Sequence, residues 1–251
     1  ACNKKGFLYN PNYWKSGDKY NKKIIATYDY KDEQGNLLYQ VVRFYPKSFS
    51  QRRPYGNKGW IWNLKGISPA LYQLPELIRS PNPVFLVEGE KDVNNLMKWG
   101  LTATTSPMGT GKWKREYNKY LKGRDVVLIP DNDESGYVHV KKIGQSLFGI
   151  AKSIKWLKLL GLSEKEDISD WIVKGNTKEE LLRLTKQAPL FDLEESRKEQ
   201  KELKKGNLKE EVKTLVPGLI HLVKDNDMAK YLFKKNNKLI IEEYYVKNDK
   251  K

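Results

Sequence analysis

Two apolar runs that break directly into carboxylates constrain this chain more than any other feature. Val84-Phe85-Leu86-Val87 lies between Pro83 and Gly89 and runs into Glu88-Gly89-Glu90-Lys91-Asp92. Asp125-Val126-Val127-Leu128-Ile129-Pro130 repeats the pattern and ends in Asp131-Asn132-Asp133-Glu134-Ser135-Gly136. Unbroken apolar runs of this length suit strands buried on both faces, as in a parallel sheet covered by helices. Chemistry in such sheets gathers outside the carboxyl ends of the strands, where Glu88 and Asp131 fall. Acid-tipped strands of this kind imply a metal site.

Between and after these runs the periodicity alternates. Val93, Leu96 and Met97 fall at helical spacing and Gly100 closes that helix; residues 101–105 form the next strand. Trp113, Tyr117, Tyr120 and Leu121 predict a further helix up to Gly123, and Val140, Ile143, Leu147 and Ile150 share one face of another after the strand at 125–129. Residues 153–160 read as one more strand, and a short helix carries Leu181, Leu182 and Leu184. Strand, helix, strand in succession makes a right-handed parallel α/β sheet the expected fold. Gly109-Thr110-Gly111-Lys112 is not a phosphate-binding P-loop: the first glycine of that motif is missing and Trp113 stands where its Ser or Thr belongs.

The front of the chain differs. Residues 1–80 hold fourteen Lys/Arg against five Asp/Glu and fifteen of the twenty-nine aromatics, within a chain of net charge +16. That combination fits a polyanion whose bases stack on rings while cations follow its phosphates, so single-stranded nucleic acid is the expected partner. Residues 1–22 have no clear period. Residues 24–30 and 37–45 are rich in β-branched and aromatic side chains around the turn-forming 31–36, a β-hairpin. Arg43, Lys47, Arg52, Arg53, Lys58, Trp60 and Lys65 follow as a strip of interleaved cations and rings, and Lys112 is a further candidate contact to nucleotide or nucleic acid. Basic residues near rings also occur as ordinary solvated loops, and tryptophans as core, so the strip carries weight as a cluster rather than residue by residue.

Glu88-Gly89-Glu90-Lys91-Asp92, Asp131-Asn132-Asp133 and Asp167-Ile168-Ser169-Asp170-Trp171 together resemble the signature of the TOPRIM domain of bacterial-type primases, nearest to the primase segments of phage and plasmid primase-helicases. The resemblance covers residues 25–190, because 28–54 and Leu71-Tyr72-Gln73-Leu74-Pro75 are similar to the segment that precedes TOPRIM in those proteins. It implies a TOPRIM-type parallel sheet flanked by helices, with a smaller basic β-rich N-terminal subdomain and a helical and β C-terminal tail. It also implies a DNA primase core that makes short RNA primers on a single-stranded DNA template from ribonucleoside triphosphates, joined to a helicase domain or partner. Glu88, Asp131 and Asp133 would be the catalytic ligands of Mg2+ or Mn2+, with Glu90, Asp92, Asp167 and Asp170 in support. Hard divalent cations take oxygen ligands, and magnesium combines one or two carboxylates with waters and substrate phosphates. Two other functions use the same residues: a TOPRIM nuclease, or a non-catalytic single-strand-binding module of a replicative helicase.

The expected organisation is an N-terminal subdomain at 1–80, a catalytic domain at 81–190 opened by Ser80-Pro81-Asn82-Pro83, a charged helical linker at 191–216, and a small β unit at 217–251 that begins a downstream domain. Cys2 is the only cysteine and neither His139 nor His221 lies near it in sequence, so no zinc site is expected. No apolar run reaches the length of a membrane span, and a cytoplasmic protein with no membrane partner is the expectation. His139 and His221 are read as structural.

Overall fold

The computed structural model describes residues 22–80, 83–109, 111–194 and 196, and the strand backbones 219–225, 228–235 and 238–245. The lead-in at 1–21, Cys2 and nearly all of the charged linker lie outside the described residues. The chain divides at Phe191 into two compact units.

The first unit opens with the hairpin of β1 (Lys23–Lys31) and β2 (Leu37–Tyr45). Its turn is held by Asp32, whose Oδ1 accepts the amides of Gln34 and Asn36 at 3.0 and 2.8 Å, with Gly35 at φ 92°. The basic stretch after the hairpin is a third strand, β3 (Ser48–Pro54), followed by the short β4 (Trp60–Ile61). The four strands pair antiparallel in chain order.

After α1 (Leu74–Arg79) the chain enters the parallel layer: β5 (Val84–Leu86), α2 (Glu90–Lys98), β6 (Thr102–Thr104), β7 (Asp125–Leu128), α3 (Glu134–Leu147) and β8 (Ser153–Trp156). The order across this sheet is β6-β5-β7-β8, all parallel, as the alternation of strand and helix requires. Then come α4 (Ile168–Val173) and α5 (Lys178–Gln187). Two expectations change. The helix expected around Trp113 is a 3₁₀ helix, Arg115–Leu121, in the connection between β6 and β7. The strand expected to reach residue 160 stops at Trp156, opposite Leu128, the last residue of its neighbour β7.

Alternate residues of the central strands face opposite sides of the sheet. Phe85, Val87, Val127 and Ile129 share one core with Tyr28, Tyr30, Tyr39 and Tyr72 from the front segment and with Leu96, Trp171 and Leu181 from the helices. Their neighbours Val84, Leu86, Val126 and Leu128 are equally buried. The change from antiparallel to parallel sheet falls near residue 80, yet both sheets contribute to that single core. The second unit contains the antiparallel meander of β9 (Leu219–Asp225), β10 (Met228–Lys235) and β11 (Lys238–Tyr245), one strand more than the tail's apolar runs indicate. Among the described residues no helix is long and apolar enough to cross a membrane.

Candidate active site

Glu88 and Asp131 stand just beyond the carboxyl ends of β5 and β7, which are neighbours in the sheet, so topology brings together two acids 43 positions apart in sequence. Thr105, at the end of β6, donates its hydroxyl to the Glu88 carbonyl at 2.7 Å and fixes the first turn. The second turn is held through Asn132, whose amide donates to the Glu166 carbonyl at 2.9 Å and whose Nδ2 donates to Leu162 and Ser163 carbonyls, each at 3.0 Å. Helix α3 then starts so close to this turn that a Cβ on Gly136 would lie 2.7 Å from the Asp131 carbonyl oxygen. Only glycine allows that approach.

Asp133 caps the helix. Its Oδ1 accepts the Gly136 amide at 2.8 Å and the Ser135 hydroxyl at 2.9 Å, an N-cap that holds its carboxyl below the usual range. Glu88 and Asp131 line a cleft of about 550 Å³ with Asp92 and Asp167, and Asp133 is not among the lining residues. No group of three or more His, Cys, Asp or Glu side chains among the described residues is arranged to hold a metal ion.

Burial pushes the Asp131 carboxyl up to about 8, reinforced by the negative charges of Glu88, Asp92, Asp167 and Asp133. A cluster that cannot keep all its carboxylates ionised by itself is suited to a cation, and Glu88 with Asp131 supplies the one or two oxygen side chains that magnesium takes alongside phosphates and water. The supporting acids do other work. Asp92 is buried in the first turn of α2, accepts the Ser169 hydroxyl from α4, and is raised to about 6 by burial and by Asp167. Asp167 and Asp170 form a capping box on α4, and Lys91 reaches Asp167 at 3.2 Å. Glu90 is raised by burial, an effect partly offset by the Tyr30 hydroxyl, which donates to it at 2.8 Å, and by the charge of Arg43.

The basic strip divides between the two faces of its sheet. Arg43 pairs with Phe49, and both line the acid cleft together with Lys47 and Gln51. Arg52 pairs with Gln40 and so lies on the opposite face, where its guanidinium stacks 4.1 Å from the Trp60 ring centroid and 5.4 Å from that of Trp62, and donates to Gln40 at 2.8 Å. The Arg43 Nε is buried and has no hydrogen-bond partner among the described residues.

No known protein-family profile matches the chain, and no curated protein sequence does. Solved structures do. One is a chain of the bacteriophage T7 assembly in which the lagging-strand DNA polymerase interacts with primase domains of two gp4 subunits bound to an RNA/DNA hybrid and dTTP; it is 20% identical over 66% of this chain and 78% of that chain, with a TM-score of 0.51. Another is the Aquifex aeolicus primase, zinc-binding and RNA polymerase domains, 19% identical over 69% of this chain and 45% of that one, also with a TM-score of 0.51. The fold is similar to that of a primase core.

Within this primase-like fold the remaining candidates scatter. Arg53, Lys58, Trp60, Lys65 and Lys112 do not line the acid cleft. Lys58 lies over Tyr55 at 5.8 Å, and Lys65 follows a turn closed by Asn63. His139 is a satisfied core histidine: its Nδ1 accepts the Gly111 amide at 2.9 Å, and burial lowers it to about 4. Sequence reasoning missed Lys91, Ser106 and Met108 as cleft residues. Lys91 carried a signal, since it sits between Glu90 and Asp92; Met108 showed none, because its left-handed φ of 71° exists only in the folded turn.

Proposed function

We propose that the chain is the TOPRIM-type catalytic core of a DNA primase, joining ribonucleoside triphosphates into short RNA primers on single-stranded DNA. One observation carries the reading: two carboxylates on adjacent parallel strand ends face Arg43 and Lys47 across a single cleft. Glu88 and Asp131 would hold Mg2+ or Mn2+, with Asp133 shaping the turn and contributing at most its second oxygen. The bound cation supplies neutralisation of charge on the attacking oxygen and on the pyrophosphate leaving group. Arg43 and Lys47 hold the nucleotide phosphates from the opposite wall, and the Arg43 guanidinium, whose buried Nε has no hydrogen-bond partner among the described residues, gains a partner there. Lys91, tethered to Asp167, stands beside the acids and limits their repulsion.

In this reading residues 1–80 form the nucleotide and template ledge, 81–190 the catalytic domain, 191–216 a linker, and 217–251 the start of a region leading to a helicase, in the cytoplasm where template and nucleotides meet. The chain spans less than half of the Aquifex chain that it matches, so the whole protein's partners are part of the proposal. The test is incubation with single-stranded template, the four ribonucleotides and Mg2+ or Mn2+. Short RNA products that vanish in Asp131→Asn support it. Absence of product from folded chain with either metal overturns it, and loss of labelled DNA without nucleotides would assign a nuclease instead.

A further inference from the structure

The carboxylates occupy the ends of β5 and β7 and leave the end of β8 without a role. Neighbouring strands lie roughly 4.8 Å apart, so Trp156, the last residue of β8, stands beside the turn that carries Asp131. On that turn Asn132 accepts the Tyr137 hydroxyl at 3.0 Å. The Tyr137 and Trp156 rings are close to parallel, 12° apart with centroids separated by 6.0 Å. Lys158 lies 5.3 Å from the Tyr137 centroid and Lys141 lies 5.8 Å from that of Trp156. Both rings are half-buried and Lys158 is exposed.

A lysine resting on a surface ring is common and by itself means little. Two further observations point to a ligand. From residue 135 to residue 163 the chain has five lysines and no Asp or Glu, so the segment that carries both rings is basic beside an otherwise acidic site. Lys152 meets Asp125 at 3.2 Å and Lys155 donates to the Thr185 and Lys186 carbonyls, and Lys141 and Lys158 sit against the rings. Paired rings edged by cations offer stacking for bases and charge for phosphates, and an acidic peptide would use only the charge.

We infer that Tyr137, Trp156, Lys141 and Lys158 form a ledge for single-stranded nucleic acid on the side of the carboxylates away from Arg43 and Lys47. The strand crosses the acid-tipped sheet edge from β6 towards β8 and leaves over these rings. Its identity as the template rests on the primase reading; the ledge itself does not.

The test measures binding of fluorescent oligo-dT and oligo-rU to the full chain, without nucleotides, across a salt series. Trp156→Ala should weaken oligo-dT binding by about 5- to 100-fold, in keeping with the loss of one stacked base, and Trp156→Phe should restore most of it. Lys141→Ala with Lys158→Ala should flatten the log–log salt dependence by roughly 0.7 per lysine. A loss with oligo-dT at least as large as with oligo-rU assigns the template, and a loss confined to oligo-rU assigns nascent RNA and overturns that part. Wild-type affinity in a folded Trp156→Ala overturns the ledge. If that variant fails to fold, an unchanged salt slope in the lysine pair does so. Competition by polyglutamate that needs the lysines while Trp156→Ala binds normally would reduce the surface to charge alone and overturn it too. Primer synthesis by the wild type is scored separately, so a ledge that binds in a chain that makes no primer sinks the primase reading and leaves this one standing.

Discussion

With its carboxyl raised to about 8, Asp131 carries a proton at neutral pH when no cation is bound. The unfolded chain releases that proton near pH 4, so between about 4 and 8 the folded state binds more protons and loses stability as pH rises. Asp92 acts in the same direction up to about 6. His139, lowered to about 4, opposes both, because its contribution is lost as pH falls from 6.5 towards 4. Above pH 6.5 only Asp131 of these three still titrates. Thermal melts in EDTA should therefore show the wild type falling between pH 6.5 and 8 while Asp131→Asn stays flat, melts at or above the wild type at pH 8, and makes no primer. A mutant that falls as steeply as the wild type would contradict this. Magnesium should raise the wild-type melting temperature and leave that of Asp131→Asn nearly unchanged. Arg43 and Arg52 separate at the same scale. Arg43→Ala should raise the KM for nucleotides at least tenfold with little change in melting, whereas Arg52→Ala loses a ring stack and a hydrogen bond and should cost about 1–2 kcal/mol in denaturant titrations.

Among the elements, the approach of α3 to the Asp131 turn makes Gly136 a sensitive position. Gly136→Ala should cost about 1–3 kcal/mol as backbone is forced apart and should cut primer synthesis more than tenfold through the displaced carboxylate. Gly144, further along the same helix, is a control: a Cβ there would meet the Phe191 ring at 2.6 Å, so Gly144→Ala should destabilise by a similar amount and leave nucleotide affinity unchanged. Denaturant titration beside KM measurement separates the two. The strands beneath these helices were legible in the sequence because their signal is local: Val84 to Val87 and Val126 to Ile129 are buried on both faces and contain no polar residue to interrupt the run. The hairpin was legible for the same reason, through Asp32 and Gly35. The supporting acids were not. Asp92 reads as a helix-start carboxylate, yet its partner Ser169 lies 77 positions further along the chain. Asp133 reads as a metal ligand, and the sequence carries no sign of how completely Gly136 and Ser135 claim its Oδ1. The basic strip was visible as composition, while its division between two faces depends on β3, whose pairing with β2 places Arg52 opposite Gln40 rather than beside Arg43.

For the first compact unit, the join between the sheets matters most. Tyr30 stacks on Tyr39 at 4.6 Å and tilts against Tyr72 at 5.2 Å, and its hydroxyl crosses to Glu90 at the head of α2. Neither sheet buries these rings alone, which is why hydrophobic patterning alone suggests a break near residue 80 while the core runs straight through it. Tyr30→Phe keeps the ring and strands Glu90, so it should cost about 1–3 kcal/mol, most of it at high pH where the carboxylate must stay ionised without its donor. Equal losses at pH 5 and pH 9 would contradict that assignment. The same three rings have a mechanical consequence. They tie the strands that carry Arg43 to the head of α2 beside the acids, so in the proposed primase the gap between Arg43 and Asp131 would act as a gauge of one width rather than as jaws that close on what enters. In the proposed primase such a gauge would sort its guests by the length of their phosphate chain: a triphosphate would engage both walls at once, and a monophosphate only one.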